Sequence, residues 1–527
     1  MDNNHSEPNE AIIEPLPNIN GTAHTIFNGA LNYRLPVFAA LSLIIGIVLS
    51  AAVYNNLTVV TVFYIALSLF LVAGLVLAFF KKRLYVWVAL FLLAGFFLYN
   101  IHYTCNLTGN YVVEDAVLTG RVARAEQDAN GQNVYLIEDV RIDAGHVKGN
   151  AYLYCETIFM VGARISASGT LTAFDWDPFQ YQSMSYYNSG VKYTMTGETV
   201  HYLSMDKLSP AEKVRERIKN GYATLLSEDS AGIALSLVLG DKSLLPRETK
   251  DYFRASGLSH IFAVSGLHIG FLVGIIFFFC KKARLGRYTA FAVSFIAMLC
   301  YGTVAGFSAS ITRAIIMTTV GFAGFLLYRR PDPLNILALA AIILLVCKPL
   351  SLFEVGFQLS FAAVLGIVCF YRPLQKCLTF GKGRIAKAFA DLAAVSLAAN
   401  TLLVAVAINA FSTFGIYFCL SNLLVIPFVG VLYAFLMTAT VLFLIYAPLG
   451  ALIVPFDYPF IAIKYIVAFI SQLPYAVAET SEIGLLAIIY VFAMLYMSRF
   501  FMVNIKTKYR VLTGIIGFSL FYAIVFL

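Results

Sequence analysis

Charged residues are scarce in this chain. Asp, Glu, Lys and Arg make up 13% of its 527 residues, and all 7 histidines lie at or before His268. So little charge argues against an ordinary soluble enzyme, and the histidine-free C-terminal half excludes an HxHxDH metal cluster there. The sequence also has no nucleotide-binding loop, no paired catalytic carboxylates and no nucleophile elbow. We therefore expect no enzymatic activity, no cofactor and no metal site.

The chain is instead rich in long runs of hydrophobic residues. Hydrophobic residues make up 60% of it and the mean hydropathy is +0.79, values typical of a polytopic membrane protein. Runs of spanning length form two groups, one before His102 and one from Ile261 onward, and predict about 10 to 14 spans. The net charge of +8 is explained by basic cytoplasmic loops, although an acidic partner such as nucleic acid is the alternative.

Basic residues between the runs predict the orientation. Residues 81–83 (KKR) follow the second run, and Lys281, Lys282, Arg284 and Arg287 follow the run that begins at Ile261. Because short loops rich in Lys and Arg stay in the cytoplasm, the N-terminus is predicted to be cytoplasmic and the polar interval before Ile261 extracytoplasmic. The predicted location is the cytoplasmic (inner) membrane, with the lipid bilayer as a partner.

The polar interval predicts a small β domain. Its strand-like runs, punctuated by glycines, are residues 118–122, 134–140, 151–155, 163–171 and 191–200. About five short strands within roughly 100 residues are typical of a small OB-like barrel, a fold that often binds single-stranded nucleic acid. Residues 105–207 carry 7 Lys plus Arg against 12 Asp plus Glu, so contact with DNA and a scaffold role both stay open.

The predicted fold class is therefore a polytopic α-helical membrane protein with an extracytoplasmic small β-barrel (OB-like) domain. Ser209, Pro210 and Glu212 open an amphipathic helix that lies either on the outer membrane face or against the bundle. The expected segments are a disordered cytoplasmic tail (1–30), N-terminal transmembrane helices (31–103), the OB-like domain (104–206), amphipathic and linker helices (207–258), a transmembrane core (259–430) and C-terminal transmembrane helices (431–527).

Two cysteines, Cys105 and Cys155, fall in the external domain, where oxidation can occur. A disulfide between them is a hypothesis, since it depends on the folded geometry. The other six lie in or beside the spans and are expected to be small apolar fillers.

Polar and small residues are concentrated at the start of one apolar run, in residues 255–270 (ASGLSHIFAVSGLHIG). Lipid does not tolerate this density of polar groups, so they are expected to face protein or water. Candidate lining residues here are His260, Ser265 and His268; the histidines, on one helical face, either line a passage or hydrogen-bond between helices. Gly266, Gly270 and Gly274 repeat every four residues and are predicted to let another helix approach closely.

Later spans carry isolated polar residues. Arg313 and Glu354 are predicted at matching depth, where an ion pair would stabilise the bundle, with contact to a phosphate as the alternative for Arg313. Gln358, Asn400 and Asn409 either line the passage or hold helices together. Their spacing does not separate these roles.

Several blocks of the sequence resemble the ComEC competence family, the inner-membrane channel for transforming DNA. The resemblance rests on residues 234–270 (ALSLVLGDKSLLPRETKDYFRASGLSHIFAVSGLHIG), 310–317 (SITRAIIM), 328–341 (YRRPDPLNILALAA), 348–367 (KPLSLFEVGFQLSFAAVLGI) and 394–428 (AVSLAANTLLVAVAINAFSTFGIYFCLSNLLVIPF), with 177–190 (DPFQYQSMSYYNSG) ending the β domain. Many members also carry a C-terminal metallo-β-lactamase-like domain. The histidine distribution implies a form without it.

The resemblance implies a channel that imports single-stranded DNA across the cytoplasmic membrane during natural transformation. It further implies an external DNA receptor protein, a separate nuclease and a cytoplasmic helicase-type motor, and it leaves a homodimer open. Two other functions fit the same polar segments: a transporter or flippase for a polar lipid or small solute, and an assembly scaffold without a passage.

Overall fold

The computed structural model describes residues 35–53, 83–106, 109–127, 132–143, 145–178, 184, 186–187, 189–262, 266–326, 332–378, 383–411, 413–479, 490–491 and 494. This part of the chain is mostly helical, with one β domain between two groups of helices. The predicted tail (1–30) and the apolar runs at 57–80, 483–497 and 511–527 lie largely or wholly outside the described residues.

Two apolar helices come first: α1 spans Leu35–Val53 and α2 spans Arg83–Thr104. Glycines bring them into close contact. A Cβ on Gly46 would stand 2.1 Å from the carbonyl oxygen of Leu92, and one on Gly95 would stand 2.2 Å from that of Leu43. Only residues without a side chain allow two helix backbones to approach this closely. The α1–α2 pair is therefore fixed by Gly46 and Gly95, neither of which the sequence pattern had singled out.

The β domain contains β1 (Tyr111–Gln127), β2 (Asn133–Ile142), β3 (Gly145–His146), β4 (Asn150–Cys155), β5 (Ala163–Ala173) and β6 (Val191–Met205). Each of the five predicted strand runs lies within one of these strands. β1 pairs with β2 and β5, β5 with β6, β6 with β4, and β4 with β2, so the pairings return to β1. All are antiparallel except β4 with β6. Alternating side chains fill the interior, among them Leu118, Ile137, Leu153, Ile165 and Met195.

Three short helices follow the β domain: α3 (Pro210–Leu225), α4 (Glu228–Leu239) and α5 (Arg247–Ala255). The predicted capping box is present at the start of α3, where Ser209 Oγ accepts from the Glu212 amide and the Glu212 side chain accepts from the Ser209 amide. Ile218 and Tyr222 of α3 are buried. Of the two predicted positions for this helix, packing against the bundle is the one observed.

The remaining helices are α6 (Gly266–Lys282), α7 (Arg287–Ala305), α8 (Ala309–Leu326), α9 (Pro333–Cys347), α10 (Val355–Leu378), α11 (Arg384–Phe411), α12 (Phe418–Ile445) and α13 (Asp457–Ser471). Short 3-10 turns, Ser259–Phe262 and Pro349–Phe353, precede α6 and α10. A two-stranded pairing of β7 (Thr413–Gly415) with β8 (Val477–Glu479) flanks α12 and α13. Among the described residues, 8 helical segments are long and apolar enough to cross a membrane.

Pro427 lies inside α12 without dividing it into two half-helices. The helix runs through it from Phe418 to Ile445. A proline removes one backbone hydrogen bond, and neighbouring helices compensate for such a loss inside a packed bundle.

Candidate functional site

Three polar residues lie along one buried face of α12: Asn422, Tyr433 and Thr440. Their separations of 11 and 7 residues are close to three and two whole helical turns, so they stack on the same side. At about 1.5 Å per residue they extend over about 27 Å, close to the roughly 30 Å hydrocarbon thickness of a bilayer. We call these residues and the side chains that face them the polar seam.

His268 of α6 faces the middle of the polar seam. Its imidazole meets the Tyr433 ring edge-on, with centroids 4.4 Å apart, and both side chains are at most 4% exposed. Tyr301 of α7 lies beside Tyr433 and donates its hydroxyl hydrogen to the Val238 carbonyl at 2.6 Å. The helices α6, α7 and α12 thus meet at Tyr433.

The two ends of the polar seam are hydrogen-bonded. At one end, Asn422 Nδ2 donates to Ser396 Oγ of α11 at 2.6 Å. At the other end, the hydroxyls of Tyr222 on α3 and Thr440 are 2.5 Å apart, and Thr440 also donates to the Leu436 carbonyl. The Oδ1 atom of Asn422 is buried and has no hydrogen-bond partner among the described residues. Such an atom is costly in a dry interior and favours a hydrated neighbourhood.

The other predicted lining residues lie on α10 and α11. Gln358 is half-buried and donates to the Leu352 carbonyl, so it stabilises the turn before α10. Asn400 is half-buried and donates to the Ser396 carbonyl one turn earlier on its own helix. Asn409 is half-buried near the end of α11. Their lining role stays a prediction.

The predicted shared helical face of His260 and His268 is wrong. His260 lies in the 3-10 turn Ser259–Phe262 and is exposed, whereas His268 lies in α6 and is buried. The i, i+4 spacing of an α-helix therefore does not apply at His260. The two imidazoles remain close enough to interact electrostatically. Ser265 lies outside the described residues.

No helix of the described part of the chain packs closely on the glycines of α6, so their predicted packing role stays a prediction. No described atom lies within 4 Å of the place a Cβ would occupy on Gly266, Gly270 or Gly274. These glycines stand about 120° to 160° around the helix from His268, which is buried. Burying His268 therefore turns the glycines outward.

Arg313 of α8 and Glu354, immediately before α10, are both buried, at 6% and 3% exposure. The Arg313 guanidinium lies at the start of α10, with Nη2 3.5 Å from the position of a Cβ on Gly356, and it interacts electrostatically with Glu354. Glu354 also accepts a hydrogen bond from Ser351 Oγ at 3.3 Å. The structure thus brings these opposite charges together, while their stabilising role stays a prediction.

The Cys105–Cys155 disulfide is absent, since both residues are free thiols. Cys155 points into the core of the β domain and donates to the Thr157 carbonyl, whereas Cys105 is exposed just beyond α2. Burial raises the pKa of the Cys155 thiol. An inward-facing side chain is unsuited to pair with one at the end of a separate helix.

Lysines of the β domain attach it to α2. Lys192 is 2% exposed, donates to the Asn106 carbonyl and stands 4.9 Å from the centre of the Trp176 ring. Lys148 donates to the Cys105 carbonyl. These carbonyls continue the C-terminal end of α2, where the helix dipole favours positive charge. Desolvation lowers the pKa of Lys192, which the charge of Asp175 partly offsets.

Sequence reasoning missed the central members of the polar seam. None of the predicted lining residues is Tyr433, Thr440, Tyr301 or Tyr222. The separations of 11 residues from Asn422 to Tyr433 and of 7 residues from Tyr433 to Thr440 were a usable signal. Among the described residues, no three His, Cys, Asp or Glu side chains form a group that could hold a metal ion.

Comparisons with known proteins give the family. The family model described as Competence protein matches residues 237–503, just over half of the chain. The chain therefore belongs to the competence protein family. With the 8 spanning-length helices of the described residues, this indicates a multi-pass membrane protein.

Several curated proteins are similar. ComE operon protein 3 of Bacillus subtilis is 28% identical over 256 residues, which cover 49% of this chain and 31% of that protein. Recombination protein 2 of Haemophilus influenzae is 26% identical over 42% of this chain and 28% of its own length. Competence protein ComA of Neisseria gonorrhoeae is 30% identical over 27% of this chain and 21% of its own length. The aligned regions thus span about a third or less of these relatives. No solved structure matches the chain.

Proposed function

We propose that this protein forms a membrane passage through which single-stranded DNA enters the cell during natural transformation. The observation that carries the proposal is the polar seam: a row of polar side chains about as long as the hydrocarbon thickness, contributed by five helices of a family whose members are described as competence proteins. A phosphate backbone cannot cross hydrocarbon without such groups and water.

The polar seam is closed in the described arrangement, because His268, Tyr433 and Asn422 are at most 5% exposed. Passage of a strand therefore requires α6, α7 and α12 to separate. The weakly satisfied Asn422 side chain supports such an opening, since water could hydrate it at little cost.

We infer that the β domain is a five-stranded closed barrel of the OB type on the outer face of the membrane. Two observations support this: the ring of pairings among β1, β2, β4, β5 and β6, and the single parallel pair β4–β6. Its acidic balance favours a docking role, for example for an external DNA receptor, over tight binding of the strand itself. A separate nuclease and a cytoplasmic helicase-type motor complete the proposed pathway.

A transporter or flippase for a polar lipid or small solute is the second candidate. The burial of His268, Tyr433 and Asn422 favours this function, because a small solute needs far less separation of the helices than a nucleic-acid strand does.

The proposal is tested by DNA entry in a strain that lacks this protein. Labelled donor DNA should stay outside the cytoplasm in the deletion strain and reach it when the wild-type protein is restored. Normal entry in the deletion strain would refute the DNA passage and leave the small-solute function as the explanation of the polar seam.

A further inference from the structure

Tyr187 lies in residues 177–190, the segment between β5 and β6 that is part of the family resemblance, and it does not belong to the polar seam. Its side chain is 4% exposed. The ring meets Trp176 edge-on, with centroids 4.9 Å apart, and Nζ of Lys348, at the end of α9, stands 5.9 Å from the ring centre. The same apolar cluster contains Phe357 of α10. The β domain thus buries one tyrosine against the helical bundle.

The hydroxyl group of Tyr187 faces α2 and the turn before α10. It lies 3.4 Å from Nε2 of His102, near the end of α2. It also interacts with Ser351, and the charge of Glu354 acts on it electrostatically. Ser351 Oγ in turn donates to Glu354 Oε1 at 3.3 Å. One hydroxyl therefore connects the end of α2 to the carboxylate that interacts with Arg313.

These contacts form a continuous line of polar groups, made of His102, Tyr187, Ser351, Glu354 and Arg313. His102 is half-buried and the other four are at most 8% exposed. A polar group is costly to bury, and a phenylalanine at position 187 would fill the same space without a hydroxyl group. Buried polar groups with defined partners fix one arrangement of the elements that carry them. The hydroxyl of Tyr187 is therefore suited to set a geometry as well as to fill space.

The line of polar groups ends beside the polar seam. Arg313 lies on α8, and its neighbour Ala314 belongs to the apolar core that also contains Ile269 of α6 and Tyr433 of α12. Ile269 directly follows His268, which faces Tyr433. Because packed helices shift as units, a displacement of Arg313 moves α8 against the helices that close the polar seam.

We propose that Tyr187 is a positioning residue that couples the β domain to the polar seam. While its side chain is seated, it holds Glu354 towards Arg313, and α8 keeps α6 and α12 together. A protein that docks on the β domain and withdraws Tyr187 releases α8 and lets the polar seam open. This coupling rests on the proposed opening of the polar seam and adds to it a control by the β domain.

Hydrogen exchange of the purified full-length protein in detergent tests the coupling without DNA. Tyr187→Phe removes the hydroxyl and keeps the ring. We expect the exchange of α6 and of the start of α8 to rise about fivefold, the effect of one lost hydrogen bond on a local opening equilibrium. The strands of the β domain should exchange as in the wild type. Tyr186→Phe is the matched control and should leave α6 and α8 unchanged, because the ring of Tyr186 meets Tyr152 and Phe174, each 5.4 Å away.

Glu354→Gln should raise the exchange of α6 in the same way. Adding Tyr187→Phe to it should have little further effect, because both changes interrupt one line of contacts. Unchanged exchange of α6 in Tyr187→Phe, or fully additive effects in the double variant, would overturn the proposal. A rise that extends over the β domain and α2 would show a general loss of stability and would also overturn it.

DNA entry is measured separately, so that failure of the coupling and failure of the proposed passage can be told apart. Normal DNA entry in the deletion strain refutes the passage, whatever the exchange of α6. Unchanged exchange of α6 in Tyr187→Phe, together with DNA entry that depends on this protein, refutes the coupling alone.

Discussion

His268 and Tyr433 meet edge-on at 4.4 Å between ring centroids, and this contact joins α6 to α12 at the centre of the polar seam. An imidazole against the edge or face of a phenol ring is a polar contact inside an apolar bundle, and it separates without breaking a covalent or ionic link. The contact is thus suited to a passage that opens. It also joins residues 255–270, which are part of the family resemblance, to α12.

Replacing His268 with Leu should abolish DNA entry while leaving the protein folded and inserted. Leucine fills similar space but adds an apolar side chain to the path of the strand. The measurement is transformation frequency together with the amount of protein in the membrane. Phe278→Leu, at a 62% exposed position of the same helix, is the control and should transform normally. Unchanged uptake in His268→Leu would show that His268 does not line the passage.

Replacing Tyr222 with Phe should lower the free energy of unfolding by about 1 kcal/mol, the usual value of one neutral hydrogen bond. The hydroxyl that is lost stands 2.5 Å from that of Thr440. A double-mutant cycle with Thr440→Val checks the pair. A coupling energy near zero would mean that the two hydroxyls do not stabilise the contact of α3 with α12.

Replacing Glu354 with Ala should destabilise the protein by about 3 kcal/mol, because the buried charge of Arg313 is left without its opposite. Adding Arg313→Met should recover part of the loss. Thermal unfolding in detergent measures both, and Glu198→Ala at an exposed site of the β domain is the control. Undiminished stability of Glu354→Ala with full expression would count against the predicted pair.

Acid should loosen the junction between β1 and α3. Partial burial would raise the pKa of Glu212, but hydrogen bonds from Arg121 and Ser209 outweigh it and lower the pKa from its usual 4.5 to about 2. A lowered carboxyl pKa stabilises the folded state above the unfolded pKa, and this stability is lost as the pH falls from 4.5 towards 2. Hydrogen exchange of β1 and α3 should rise over this window and be flatter in Glu212→Gln. Identical profiles in the two proteins would contradict the assignment.

Cys105 and Cys155 should both react with an alkylating reagent without prior reduction. Cys105 is exposed and should be modified in the folded protein, whereas Cys155 should react only after unfolding because it is buried and its thiol pKa is raised. Mass spectrometry of the alkylated protein counts the labels. A pair of labels that appears only after reduction would restore the disulfide hypothesis.

The sequence predicted the elements better than their contacts. Period-two alternation and glycines located five of the six strands of the β domain, and apolar length located the two groups of helices, because these signals are local. The capping box at Ser209 and Glu212 was predictable for the same reason.

The candidate site was less predictable, because it depends on which face of each helix is buried. His268 of α6 is buried, and Gly266, Gly270 and Gly274 lie on the other side of the same helix, where no described atom is near them. Likewise, tyrosine is common at membrane interfaces, so the residue type of Tyr433 did not indicate a site, and only its spacing from Asn422 and Thr440 could have done so.

The most direct measurement places a photoreactive phenylalanine analogue at Tyr433 and, separately, at Phe435, which is on the same helix and 65% exposed. Cells are illuminated while they import labelled DNA, and crosslinks between protein and strand are counted. A passage along the polar seam predicts crosslinks from position 433 and few or none from position 435. Crosslinks from 435 alone, or none from 433 in cells that import DNA normally, would contradict it.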